Sequence, residues 1–158
     1  MGGGEELFKE AKKEFTLADH IFSVALSVVK DKNVFLSILT HLDKSIYLTI
    51  RAYLYNQRKQ KRIRIIPESK SLAKRLFFEE FTASLGITTS EYHILKELNQ
   101  LVKAHQKNQA EIKRGDNYII FLPNFETVTV NENNIKRYLS ISRSFISKVE
   151  KGMKNGTR

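Results

Sequence analysis

Apolar residues recur at helical spacing through most of the chain. From Glu5 to about Lys30, Phe8, Ala11, Phe15, Ala18, Phe22, Ala25 and Val29 alternate at steps of three and four. That spacing aligns them on one helix face. Leu7, Ile21, Leu26 and Val28 widen the stripe, as a helix packed in a bundle requires. The alternation of Phe with Ala predicts large side chains facing a close neighbour. Asp31-Lys32-Asn33 interrupts the pattern, with Asn33 placed to cap the next helix. That second helix is predicted from Val34 to about Gln57, its seam formed by Phe35, Leu39, Leu42, Ile46, Thr49 or Ile50, and Tyr53. So short a break between two long helices makes them an antiparallel hairpin.

Beyond the hairpin the signals shorten. Pro67-Glu68 reads as a helix start, with Leu72, Leu76, Phe77 and Phe81 buried and Gly86 closing the element near Ser84. Thr88 and Glu91 have the spacing of a capping box, and they open a helix carrying Tyr92, Leu95, Leu98, Val102 and His105 on one face. Its pattern fades through Gln106–Lys113. The period then changes. Tyr118–Leu122 and Phe125–Val130 read as two strands joined at Pro123-Asn124 by a four-residue loop built on a type I turn. Asn131 caps a last helix from Glu132 to about Lys151, with Ile135, Leu139, Ser142, Phe145 or Ile146, Val149 and Met153 in its seam. The expectation is a mainly α, up-down bundle of four to five helices with one short β-hairpin before the C-terminal helix. It forms one domain over residues 5–151, with residues 152–158 as a disordered tail.

Composition narrows the partners. The chain has 158 residues, 27 Lys+Arg against 17 Asp+Glu, and no cysteine. A disulfide scaffold and a thiolate metal site are thereby excluded. The apolar windows are short or interrupted by His41, Asp43, Lys44 and Arg51, which are costly in lipid, so a cytoplasmic, non-membrane chain is expected. Between Asn56 and Arg75 stand eight Lys/Arg and one acid, Glu68, a local balance of +7 against +10 for the whole chain. Arg58, Lys59, Lys61, Arg62 and Arg64 form the joint between the long hairpin and the remaining helices, either as an extension of the second helix or with Ile63–Ile66 extended. Lys70, Lys74 and Arg75 would enlarge the patch, and Lys103, Lys107, Lys113 and Arg114 are further candidates to join it.

Such a patch releases counterions from a phosphate backbone, and Tyr53 and Tyr55 beside it offer faces for single-stranded bases. A plain solvated loop, with Tyr53 in the core, is the competing reading, and an acidic protein partner a third. Tyr118, Ile120, Phe121 and Phe125 either cover the bundle or bury against a second copy in a homodimer. No chemistry-bearing motif emerges. The histidines, His20, His41, His93 and His105, show no metal-ligand spacing. Glu5-Glu6 and Glu79-Glu80 are sequence neighbours that point apart on a helix. No catalytic residue, metal or cofactor is expected.

The element order, with Arg114-Gly115-Asp116-Asn117-Tyr118-Ile119-Ile120-Phe121, Asn134-Ile135-Lys136-Arg137-Tyr138-Leu139 and Ser144-Phe145-Ile146, resembles archaeal HEPN-like helical-bundle proteins. The resemblance implies a compact bundle that often dimerises and acts around RNA. Catalytic members are ribonucleases in which an Arg is followed after four to six residues by His. Here the windows before the four histidines are Lys13–Phe15, Val34–Leu36, Gly86–Thr88 and Leu98–Gln100, and none holds an Arg. The expected function is therefore a non-catalytic module that binds RNA or another polyanion through the joint. The alternatives are a metal-independent ribonuclease with an atypical site, and a protein-interaction component of a toxin–antitoxin-like pair.

Overall fold

The computed structural model describes residues 3–24, 32–106, 111–115, 117–122 and 126–155. They form α1 (Gly3–Val24), α2 (Lys32–Lys59), α3 (Lys70–Glu80), the four-residue α4 (Thr82–Leu85), α5 (Thr89–Gln106), strands β1 (Glu111–Arg114), β2 (Asn117–Phe121) and β3 (Thr127–Val130), and α6 (Glu132–Asn155). This is the mainly α bundle with a hairpin before its last helix that the periodicity predicts.

Side-chain pairs fix the helix directions. Gly4 lies against Ala52, Ser45 Oγ donates to the Ala11 carbonyl at 2.6 Å, and His41 Nδ1 lies 2.6 Å from Glu14 Oε2. As one number rises the other falls, so α1 and α2 are antiparallel. The same argument applies to α1 with α6, through Lys12–Glu150 at 2.5 Å and Asp19–Arg143 at 3.6 Å. It holds again for α5 with α6, through Glu91–Lys148 and Glu97–Tyr138. Ala11 and Ala18 are fully buried on α1, which lets the α2 backbone approach closely.

The apolar interior has two clusters. Phe35, Leu39 and Leu42 of α2 belong to one, with Leu98 and Leu101 of α5, Tyr138 of α6 and the sheet. Ile46, Ile50 and Leu54 belong to the other, with Phe77, Leu95, Phe145 and Val149.

Several helix ends match their sequence signals. Thr88 and Glu91 make the capping box: Glu91 N–H donates to Thr88 Oγ1 at 3.1 Å and Thr88 N–H to Glu91 Oε1 at 3.4 Å. Gly86 sits at φ 73° and closes α4. Asn131 Oδ1 accepts from Asn134 N–H at 2.9 Å. Others differ. Asn33 lies inside the first turn of α2 rather than capping it. The third helix starts at Lys70, not Pro67, because Ser69 caps it by accepting from Leu72 N–H, and it breaks at Phe81 before α4. Its buried positions are Ala73 and Phe77, so Leu72 is 54% exposed instead of core. At the far end, α6 continues through Gly152 to Asn155 rather than fraying. Gly152 allows this fit: a Cβ there would lie 2.2 Å from Cδ2 of Leu85. Of the tail, residues 156–158 lie outside the described residues.

The sheet has the order β1-β2-β3, all antiparallel, so β1 adds to the expected hairpin. Ile112 pairs with Ile119, and Ile120 with Val128. Tyr118 and Ile120 point into the bundle, 7% and 1% exposed, and Tyr118 meets the Phe35 ring edge-on at 5.5 Å. They cover this chain's own core and are not free to bury against a second copy, which corrects that part of the dimer surface. Phe121, on the opposite phase, is half-buried. Phe125 and the loop expected at Pro123-Asn124 lie outside the described residues, as do residues 25–31, on which the expected seam positions Ala25 and Val29 and the expected end of the first helix fall.

Candidate nucleic-acid interface

Helix α2 carries the joint into place. It runs through Arg58 and Lys59, then closes on Lys61, which adopts φ 61°. Lys61 N–H donates to the Arg58 carbonyl and Arg62 N–H to the Gln57 carbonyl, both at 2.9 Å. This is the paired closure of a Schellman motif, with lysine where glycine is usual. Ile63–Ile66 is therefore neither more helix nor a strand. Ile66 is buried in the second apolar cluster and Ile63 packs against it, so the backbone is pinned while Arg58, Lys59, Lys61, Arg62 and Arg64 stay exposed. Arg62 also donates to Gln57 Oε1 at 3.4 Å.

Upstream on the same helix face lies an arrangement not anticipated from the sequence. Tyr47, Arg51, Tyr55 and Arg58 come at steps of four, four and three, alternating ring and guanidinium. Arg51 Cζ lies 6.0 Å from the Tyr47 centroid and 5.7 Å from that of Tyr55, and Arg58 Cζ lies 4.8 Å from Tyr55. From α3, Lys70 Nζ and Lys74 Nζ come to 5.0 and 5.7 Å from the Tyr47 ring. These are cation–π distances. The signal was available in the helical spacing of Tyr47, Arg51 and Tyr55. Tyr53, expected to offer a face for stacking, does not: it is 4% exposed and packs edge-on against Phe77 and Phe81.

The ladder leads into a cleft of about 630 Å³ between α2, α3 and α5. Tyr47, Lys70, Lys74 and Lys103 line it, together with Asp43 and Asn99. Burial pushes the Lys74 ammonium below the ordinary lysine value, and Lys103 and Lys70 push the same way while Asp43 opposes them. Lys74 is half-buried here, whereas Lys70 and Lys103 are exposed. Arg75 also lines the cleft, but its Nε is paired with Glu79 at 2.9 Å. Lys113 lies over the Tyr118 ring in the sheet, Arg114 ends β1, and Lys107 lies outside the described residues. A second basic groove, with Lys9, Lys12, Lys13 and His20, is lined by α1 alone and has no opposing wall among the described residues.

The histidines stand apart from this face. His41 pairs with Glu14, which Lys44 also meets at 3.2 Å. His105 Nδ1 lies 3.0 Å from Glu111. His20 and His93 are exposed. Among the described residues no three His, Cys, Asp or Glu side chains converge to hold a metal, and no helix is long and apolar enough to cross a membrane. No family model matches the chain, and neither a curated protein nor a solved structure matches it.

Proposed function

We propose that this chain is a non-catalytic binding module for single-stranded RNA, of HEPN-like build, that lays the strand along α2 from the cleft to the basic joint. The observation that carries the reading is the Tyr47–Arg51–Tyr55–Arg58 ladder with Lys70 and Lys74 at one end and Lys59–Arg64 at the other. A solvated loop would leave its arginines in water. Here Arg58 Cζ lies 4.8 Å from the Tyr55 ring and Arg51 donates to the Tyr47 hydroxyl at 3.3 Å, which lowers the entropy lost when a base or phosphate docks. Arg planes and aromatic rings are the two surfaces on which unpaired bases stack. From Tyr47 to Arg58 the helix rises about 16 Å, room for roughly five stacked nucleotides at about 3.4 Å each.

The test is fluorescence anisotropy of a labelled oligouridine across a salt series. Single-strand binding loses affinity with a log–log slope of about −0.7 per phosphate neutralised. Replacing Arg58, Lys59, Arg62 and Lys70 together by Gln is expected to flatten the slope by up to about 3. Tyr55→Ala is expected to cost about 1–3 kcal/mol of binding. An affinity and slope that the four substitutions leave unchanged overturn the reading. Shortened products on a gel of the same mixtures overturn its non-catalytic part.

A further inference from the structure

Two carboxylates line the cleft, Asp43 and Glu79, and both are taken inside the protein. Asn99 Nδ2 lies 3.1 Å from each Asp43 oxygen and ties α5 to α2, while Glu79 holds Arg75 at 2.9 Å. The ammonium groups around them are not so matched. Lys70 and Lys74, four apart on α3, and Lys96 and Lys103, seven apart on α5, all line the cleft. None of the four forms an ion pair among the described residues. Like charges gathered on the walls of one cleft repel each other unless an anion lies between them. The shape is also one-sided. Buried Ile46 and Ile50 of α2 form the floor. The rings of Phe78 on α3 and Tyr92 on α5 meet at 4.7 Å, which shuts the gap between those helices at one end.

We infer that the cleft receives the end of the strand, a terminal phosphate monoester, on Lys70, Lys74, Lys96 and Lys103. A monoester carries about −1.5 to −2 charge at neutral pH and three free acceptor oxygens. A phosphodiester within the strand carries about −1 and leaves two. Two arginines along the ladder suit such diesters, whereas four ammonium groups around one cleft suit the more highly charged end. Lysine acts on phosphate as a point charge, and its flexible stem lets the three exposed ammonium groups close on the phosphate once it has entered. A shut end fits a terminus, which needs no way out for a next nucleotide. Tyr47 belongs to the cleft and to the ladder alike, so a strand leaving the cleft meets the first ring of the ladder. The inference rests on the RNA-binding reading for its ligand class and adds recognition of a strand end to it. The competing role for the four lysines is a solvated rim with no ligand.

Displacement of labelled oligouridine from the full chain, read by anisotropy, separates these. Three unlabelled competitors are compared: a uridine nonamer with a 5′-phosphate, a nonamer with a 3′-phosphate, and a decamer with neither, so that all carry the same number of phosphates. A phosphorylated nonamer is expected to compete about tenfold better than the decamer, within what hydrogen bonds to a charged group contribute. The nonamer that does so names the end the cleft takes. Lys74→Gln with Lys103→Gln is expected to erase the preference. Lys9→Gln with Lys13→Gln removes the same charge from the outer face of α1 and should keep it. Equal competition by all three strands, as a solvated rim predicts, overturns the inference. So does a preference that survives the cleft pair, or one that the α1 pair abolishes equally. Salt-sensitive binding blind to the strand end removes the end site and leaves the RNA module standing. Calorimetric titration with uridine 5′- and 3′-monophosphate, against uridine, reads the cleft alone. Monophosphate binding lost in the cleft pair, in a chain whose strand affinity ignores the neutralised joint, removes the strand track and leaves the phosphate site.

Discussion

Replacing Lys61 with glycine acts on the joint in two opposite directions. Lys61 holds φ 61°, a left-handed conformation that costs an L-residue with a Cβ about 1–2 kcal/mol. Glycine adopts it freely but loses more backbone entropy on folding, roughly 0.5–1 kcal/mol. The 2.9 Å closure bonds from Lys61 and Arg62 are made by the backbone, so they survive the change. The net gain is about 0.5–1 kcal/mol. For a chain of this length 1 kcal/mol moves Tm by about 2–4 °C, so Tm should rise by about 1–4 °C in differential scanning calorimetry. Lys61→Ala removes the same charge but keeps the strain, and should show no rise. Both variants lose one cation from the face proposed to hold RNA, and both should flatten the salt slope by about 0.7. A glycine variant no more stable than the alanine variant would refute the strain argument. A slope unchanged in both would remove Lys61 from the phosphate track.

Two further outcomes test the packing and the caps. Gly152→Ala places a methyl where Leu85 Cδ2 sits; overpacking of about 1–3 kcal/mol should exceed the helix-propensity gain of at most about 1 kcal/mol, and Leu85→Ala in the same chain should recover part of the loss in a double-mutant cycle read by urea denaturation, so independent, additive effects would contradict the contact. Burial pushes the Glu91 carboxyl up, but the Lys148 ammonium and the Thr88 donors outweigh it and hold it below the ordinary glutamate value of 4.5; Glu14, also raised by burial, is brought below that value by His41 and Lys44. The folded chain then binds fewer protons than the unfolded one in acid, so the stability these groups add is present above about pH 4.5 and is lost as pH falls through their lower folded values; Glu91→Gln should cost about 1–3 kcal/mol at neutral pH and make Tm less steep between pH 5 and 3, whereas a parallel shift at every pH would contradict the assignment.

The long helices were legible because their apolar stripes repeat over five or more turns, and the caps because Thr88, Gly86 and Asn131 act within a few residues of themselves. What stayed hidden depends on partners far along the chain. Glu111-Ile112-Lys113-Arg114 has one apolar residue and becomes a strand only by pairing with β2. Leu72 reads as core because leucine is a stronger signal than Ala73, the small residue that faces inward. The joint's charge was visible, but the Lys61 closure that shapes it was not, since lysine is no marker of a left-handed turn. The cleft could not be read at all: Asp43 and Asn99 meet across 56 positions, and no local pattern announces such a pair.

The two apolar clusters share their helices. α2, α5 and α6 each contribute to both, so neither half can melt without unwinding helices that the other half still needs. The chain should therefore lose its structure in a single cooperative step. Because the cleft opens beside Ile46 and Ile50 on α2 and Leu95 and Val102 on α5, it straddles the junction of the clusters. Anything gripping that cleft would bind only the intact molecule, and its binding energy would appear as heat resistance of the whole chain.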